Sequence, residues 1–261
     1  MDVNPDSLTA PREIAVGSDA RTIAVQSQPG EARDGAPGFL WLGGYRSDMS
    51  GGKAVALAAW GESVGRSVTR MDYSGHGLSG GRFEDGTIQR WMEEAEAVFL
   101  EETRGPQVLV GSSMGGWIAL LLAQRLASRP EAAGRIAGLM LIAPAWNMAS
   151  LMWAGLDEEQ RAILMRDGIY REPSEYGESL LLRDLIEAGR ALEWTDGPVR
   201  LGVPVRILQG LRDADVPAAH VMKLLERLED DDVVLTLVKD GDHRLSRPQD
   251  LDRMLRCAIG F

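Results

Sequence analysis

Three observations predict an α/β domain built on a mostly parallel eight-stranded sheet flanked by helices, with a helical cap inserted after the sixth strand. Short apolar or alternating runs recur along the chain with helical-period segments between them, the pattern of βα units stacked into a parallel sheet. Val108-Leu-Val-Gly-Ser-Ser-Met-Gly-Gly116, followed by apolar Trp117–Ala123, reads as a buried strand entering a buried helix through a glycine-lined turn. Between Trp146 and about Thr195 the strand signal stops and then resumes, which places an insertion over the strand C-termini, where open α/β sheets bind ligands.

The elements follow in order. Polar residues 1–12 read as a loose lead-in, and Glu13–Val16 and Thr22–Gln26 as two antiparallel strands. Gln28–Pro37, rich in Gly, Pro and charge, reads as a loop. Gly38–Leu42 is a buried strand closed by Gly43-Gly44, and Lys53–Val64 is the first crossover helix. Ser67–Tyr73 is the next strand. Thr87–Glu101 predicts an amphipathic helix with Ile88, Trp91, Met92, Ala95, Val98 and Phe99 on one face, leaving Glu93, Glu94 and Glu96 to solvent. Strand Ile136–Ala143 follows the glycine-turn unit. Helical patterns near Asp157–Arg166 and Pro173–Arg190 make up the cap. Strands Val203–Gln209 and Asp232–Val238 alternate with helices Pro217–Leu228 and Pro248–Ile259. The division is a core of residues 1–145 and 196–261 with a cap of residues 146–195.

The 261 residues suit one such domain. A formal charge of −11 with no basic stripe argues against nucleic acid and against an anionic membrane surface. The single cysteine, Cys257, leaves no internal disulfide and suits a reducing compartment. Met-Asp-Val-Asn-Pro-Asp has neither a basic nor an apolar leader, and no apolar run approaches the roughly 20 residues that span a bilayer. The expectation is a cytoplasmic chain without membrane insertion.

Gly111-Ser112-Ser113-Met114-Gly115 fits the G-x-S-x-G nucleophile elbow, whose strained turn lifts the serine above the sheet. With 30 Gly and 16 Ser in the chain, roughly 0.2 such matches arise by chance, so context decides. A second match, Gly77-Leu-Ser79-Gly-Gly81, overlaps the dinucleotide pattern Gly75-His-Gly-Leu-Ser-Gly80. Both patterns require a helix to open within the glycines. Instead, polar Gly81–Gly86 follows. Ser79 is a decoy, and no nicotinamide, flavin or metal cofactor is expected. Ser112 reads as a small packing residue.

A serine hydroxyl needs a base, and the base an orienting acid. The order that accompanies this elbow is serine, acid, histidine. Of the three histidines, His76 precedes the serine and reads as a hydrogen-bonded loop residue. His220 opens a helix and reads as a surface or capping group. His243, between the last strand and the last helix, stands where the base belongs. Asp213 and Asp215 both follow strand Val203–Gln209 and are open as the acid; Asp242, adjacent to His243, reads as loop chemistry. Two backbone N–H groups must meet a developing oxyanion. Met114, after the serine, and Tyr45, after Gly43-Gly44, are the candidates.

These residues together resemble the α/β-hydrolase superfamily from about residue 13 onward. Gly44–Ala54, Asp72-Tyr-Ser-Gly-His-Gly-Leu-Ser79, Val110-Gly-Ser-Ser-Met-Gly-Gly-Trp117 and Asp242-His-Arg244 are similar to the branch of mitochondrial palmitoyl-protein thioesterases that also hydrolyse acyl glucuronides. The family spacing G-x-x-D before Val-Pro selects Asp213. The resemblance implies an α/β-hydrolase fold and hydrolysis of a small-molecule ester or an acylated-protein thioester through Ser113, His243 and Asp213. It leaves open a general carboxylesterase, a C–C hydrolase and a non-catalytic binding scaffold. The cap matches least. Its apolar opening, Trp146, Met148, Leu151, Met152 and Trp153, reads either as a wall for an acyl chain or as glue between cap and core.

Overall fold

The computed structural model describes residues 10–30, 35–174, 177–229 and 232–261. Most of the lead-in, part of the Gln28–Pro37 loop and part of the Pro173–Arg190 pattern lie outside these. The order is β1 (Arg12–Val16), β2 (Arg21–Gln28), β3 (Gly38–Leu42), α1 (Gly52–Ser63), β4 (Val68–Met71), α2 (Ile88–Glu102), β5 (Gln107–Ser112), α3 (Met114–Ala127) and β6 (Ile136–Ile142). An insertion of α4 (Met148–Ala154), α5 (Glu158–Asp167), β7 (Ile169–Ser174), β8 (Gly177–Leu182) and α6 (Arg183–Arg190) follows. The chain closes with β9 (Val205–Gly210), α7 (Ala218–Arg227), β10 (Val233–Val238) and α8 (Pro248–Ile259).

Eight strands form one sheet in the order β1-β2-β4-β3-β5-β6-β9-β10. The β1–β2 and β2–β4 pairs are antiparallel and the others parallel. Side chains alternate across the pleat, and both faces are covered. Leu40, Leu42, Leu109, Leu139, Leu141 and Ile207 join Trp91 and Trp117 in one core. Phe39, Trp41, Val108, Val110, Met140, Ile142 and Leu208 meet α1 and α8 in the other. This two-sided burial explains why the central strands read as unbroken apolar runs.

Two expectations are corrected. The segment that reads as helix near Pro173–Arg190 begins as an antiparallel hairpin, β7–β8, and α6 starts only at Arg183. Gly168, at φ 79°, ends α5 in the left-handed region. Leu180-Leu-Leu182 is too short a run for periodicity to separate strand from helix. The insertion is therefore helices plus a hairpin, and not wholly helical.

The second correction concerns the acids of α2. Glu94 and Glu96 are buried. Glu94 accepts the Ser74 N–H at 2.9 Å and the Ser74 hydroxyl at 2.7 Å, and pairs with Arg21 at 2.7 Å. Glu96 pairs with Arg125 at 2.6 Å and Arg129 at 2.9 Å. A buried carboxylate is tolerated when matched in this way. Glu94 thereby ties α2 to the loop after β4, and Trp91 Nε1 donates to Ser74 O at 3.1 Å beside it.

That loop contains the decoy glycines. Gly75 and Gly77 have φ of 75° and 44°, and a Cβ on Gly77 would stand 2.1 Å from Asp72 Oδ2. The Asp72 carboxylate holds the Met49 and Leu78 amides at 2.7 and 2.8 Å. Ser79 Oγ donates to Asp72 O at 2.6 Å and accepts from Ala24 N at 2.8 Å. No helix opens there. Gly77→Ala is expected to cost roughly 2–4 kcal/mol in urea unfolding, from backbone strain plus displacement of a charged acceptor. Gly134→Ala, at φ 70° with no atom within 4 Å of a new Cβ, is expected to cost only about 1 kcal/mol.

Candidate active site

Ser113 stands alone between β5 and α3 with φ 54° and ψ −117°. Such a conformation costs an L-residue on the order of 1–3 kcal/mol and persists only when its surroundings over-determine it. Its N–H donates to Ile142 O at 2.9 Å, and its carbonyl accepts from Ala145 N at 3.0 Å and Gly116 N at 2.9 Å. The flanking glycines are steric requirements. A Cβ on Gly111 would lie 2.3 Å from Gly115 O, and one on Gly115 would lie 2.1 Å from Leu42 O. β3, β5, β6 and α3 converge on this turn.

Two loops at the same end of the sheet complete a hydrogen-bonded chain. His243 Nε2 lies 3.0 Å from Ser113 Oγ, and Nδ1 lies 2.9 Å from Asp213 Oδ2. The aspartate side chain is fully buried. Its Oδ1 accepts the Asp215 and Val216 amides at 3.0 and 2.8 Å, and Gln209 Nε2 donates to Oδ2 at 3.1 Å. A carboxylate so surrounded by donors is fixed in place as the acceptor for the imidazole Nδ1–H. The two loops also brace each other: Arg212 N donates to Gly241 O at 2.8 Å, and a Cβ on Gly210 would come within 2.4 Å of that oxygen.

Both open acids have a carboxylate oxygen within 4.8 Å of an imidazole nitrogen, and Asp213 is the one hydrogen-bonded to it. Asp215 is exposed. Asp242 Oδ1 accepts the Leu245 amide at 2.9 Å, a turn contact.

On the other side of the serine, Gly44 packs against it: a Cβ there would lie 3.4 Å from Ser113 Cβ. This seats the Tyr45 amide beside the elbow. Met114 N is the first amide of α3 and has no acceptor within the helix. The Tyr45–Arg46 turn is held by His76. Its Nε2 accepts the Arg46 N–H at 3.1 Å, which leaves Nδ1–H to donate to Ser74 O at 3.2 Å. Burial pushes this imidazole down to about 4, so Nε2 stays an acceptor at neutral pH. Phe83 and Trp91, both with ring centroids 5.1 Å away, enclose it. Tyr45 donates its hydroxyl to Leu180 O at 2.6 Å, which joins this turn to β8 of the insertion.

A cavity of about 490 Å³ opens at the serine. Among the described residues it is lined by Trp41, Tyr45, Ser113, Ser179, His243 and a polar set that includes Arg46, Asp48, Lys53 and Arg244. None of Trp146, Met148, Leu151, Met152 and Trp153 lines it. Trp146 is buried, and exchanges bonds with His220 (Nε1 to His220 O, 2.9 Å; His220 Nε2 to Trp146 O, 2.6 Å). His220 is thus a tie to the insertion and not a surface cap. Trp153 lies beneath the Arg161 and Arg190 guanidiniums, 5.3 and 4.8 Å from its centroid. These residues fasten the insertion to itself and to the core.

Sequence reasoning missed Gln209 and the role of Lys53. Gln209 had a signal, a polar residue ending an apolar strand four positions before Asp213. Lys53 Nζ donates to Arg244 O and lies 3.4 Å from Ser246 Oγ, a contact between distant parts of the chain with no local signature.

Residues 48–168 match the family model described as serine aminopeptidase, S33. Mouse mitochondrial palmitoyl-protein thioesterase ABHD10 is 32% identical over 226 residues, covering 85% of this chain and 74% of that protein. The human protein of that name is 30% identical over 223 residues, covering 84% and 71%. Among solved structures, one from Agrobacterium vitis S4 is 48% identical with a TM-score of 0.91, covering 97% of this chain and 98% of its own. The mouse α/β hydrolase domain-containing protein 10 is 29% identical with a TM-score of 0.83, covering 97% of both chains. With this sheet, this elbow and these relatives, the chain belongs to the α/β-hydrolases, in the family of palmitoyl-protein thioesterase ABHD10, and is a hydrolytic enzyme.

Proposed function

We propose that the enzyme cleaves carboxylic esters or thioesters through an acyl-enzyme on Ser113, in the manner of an acyl-protein thioesterase or acyl-glucuronide esterase. The observation that carries this reading is the 3.0 Å contact between Ser113 Oγ and His243 Nε2 at a turn held at φ 54°. In the proposed reaction Nε2 takes the hydroxyl proton as the oxygen attacks the acyl carbonyl. Asp213 holds Nδ1–H and stabilises the imidazolium as it forms. The Tyr45 and Met114 amides receive the oxyanion, and His243 returns its proton to the leaving alcohol or thiol. Water, deprotonated by the same imidazole, then frees the acid and restores the serine.

A fluorophosphonate probe is expected to label wild type once, at Ser113. Ser113→Ala should abolish labelling and lower ester turnover by about 10⁶, and Asp213→Asn should lower it by about 10⁴. Labelling that persists in Ser113→Ala would overturn the assignment. Profiling of S-acyl peptides, simple esters and acyl glucuronides then separates thioesterase from esterase.

His76 is proposed as the positioning residue of the oxyanion turn. His76→Ala is expected to lower kcat roughly 10–100-fold with KM little changed, since a misplaced donor weakens transition-state contacts selectively. His76→Gln, whose Oε1 can stand in for Nε2, should recover most of the loss. Equal kcat in all three proteins would remove His76 from this role. The depressed imidazole also makes a pH prediction. Its stabilising contribution is complete above the free value of 6.5 and fades as pH falls toward about 4. Urea midpoints across that window should fall more steeply for wild type than for His76→Gln.

A further inference from the structure

The loop between β10 and α8 is strained just past His243. Leu245 sits at φ 44° with its side chain fully buried, a conformation that an L-residue keeps only when its neighbours impose it. Two sets of contacts hold this loop from its own side of the sheet. Arg212 N, in the Asp213 loop after β9, donates to Gly241 O at 2.8 Å. Arg247 pairs with Asp240 at 2.7 Å and with Asp250 at 2.6 Å, closing the loop upon itself.

A third contact comes from the other side of the serine strand. In the sheet order β3-β5-β6-β9-β10, the Asp213 and His243 loops leave strands on one side of β5, and α1 follows β3 on the other. Lys53, near the start of α1, donates from Nζ to Arg244 O, with Ser246 Oγ at 3.4 Å. Ser246 Oγ in turn donates to Arg244 O at 2.9 Å. The carbonyl that Lys53 holds belongs to the residue next to His243, whose Nε2 stands 3.0 Å from Ser113 Oγ.

Local preference does not account for a lysine here. Lys53 is the second residue of α1, and no acid stands in that first turn. A cation there faces the positive end of the helix dipole, which disfavours it. Its side chain is half-buried, and loss of water together with the Arg244 charge pushes it down to about 8, against the pull of Asp242. Both effects work against the lysine, and what offsets them is its charge-assisted bond to the His243 loop.

We propose that Lys53 is a positioning residue for the base: it clamps the start of α1 to the backbone beside His243 and so holds the imidazole against Ser113. The proposal rests on the preceding reading, in which Ser113 is the nucleophile and His243 the base. It assigns Lys53 no contact with the substrate.

Two variants and a pH series test it, with 4-nitrophenyl butyrate as the ester and a fluorophosphonate as the probe of Ser113. Lys53→Met keeps the length of the side chain and loses the donor. Its kcat should fall roughly 10–100-fold with KM within about twofold of wild type, because a displaced base weakens the transition state selectively. The rate of fluorophosphonate labelling should fall with it. Lys53→Arg, which restores a charged donor, should recover kcat to within about threefold of wild type.

The pH series uses the lysine's own titration. In wild type the amine loses its proton as pH rises through about 8, and the charge-assisted bond becomes a neutral one. The charged and titratable groups about it are Asp242, His243 and Arg244 in its partner loop and Arg46 and Asp48 in the β3–α1 loop. All five are common to wild type and Lys53→Arg, so a ratio of the two isolates the lysine. The wild-type to Lys53→Arg ratio of kcat should fall roughly two- to fivefold between neutral pH and about 9.5.

A Lys53→Met protein with wild-type kcat, or one altered in KM alone, overturns the proposal. So does an arginine variant no more active than the methionine one. Should Lys53→Met fail to fold, as a urea transition would show, the pH series decides, and a constant ratio overturns the clamp. Failure of the underlying reading looks different: wild type itself would then leave Ser113 unlabelled, and both readings fall together.

Discussion

The strained backbone at Ser113 is the constraint on which the remaining geometry depends. Its φ of 54° is unfavourable alone, and it is held because neighbouring strands leave no other conformation. Ile142 O receives its amide from β6, Ala145 N reaches its carbonyl from just beyond β6, and Leu42 O presses on Gly115 from β3. The sheet order β3-β5-β6 is therefore a condition for the turn. Two packed cores, one on each face, hold that order in place. Only after these are formed does the hydroxyl stand where an imidazole from a distant loop can meet it.

The groups around the serine are coupled in pairs of loops. The Asp213 and His243 loops brace each other through Arg212 N and Gly241 O, so the two side chains keep their separation without a direct strand contact at their own positions. The β3–α1 and β4–α2 loops are coupled by Asp72 and His76, each of which takes an amide from the first loop while anchored in the second. Glu94 and Trp91 then fix the second loop to α2. A buried polar network of this kind is costly when incomplete and rigid when complete. The glycine motif that imitates a nucleotide-binding fingerprint is part of that network: its glycines permit the close approach to Asp72 and Phe83.

Most of the fold was legible because it is written locally. Apolar runs, glycine turns and the amphipathic face of α2 are properties of consecutive residues, and so is the elbow. The order of serine, acid and histidine added His243, but Asp213 and Asp215 stayed open until a family spacing was used. Residue spacing alone does not say which carboxylate a turn delivers. The hairpin β7–β8 was missed because Leu180-Leu-Leu182 satisfies either period. Glu94 was misplaced because its partners, Arg21 and Ser74, come from other elements. The aromatic residues of the insertion were open between a substrate wall and structural glue, and their guanidinium and His220 partners favour the second. The Lys53 contact with Arg244 O has no local signature, since the two residues meet only after the sheet is assembled.

The insertion does more than cover the strand ends. Tyr45 contributes its backbone to the turn beside Ser113 and its hydroxyl to Leu180 O on β8. Ser179, next along the same strand, lines the cavity. The hairpin and the residue that carries the proposed oxyanion donor are thereby joined by a 2.6 Å hydrogen bond. The cavity wall at Ser179 and the turn beside Ser113 share one strut. A ligand that fits the cavity while holding β8 in place also holds the Tyr45 amide in position. In a site with this connection, binding energy gained where a substrate meets β8 is available at the turn beside Ser113, which is the condition for it to raise turnover and not merely tighten binding.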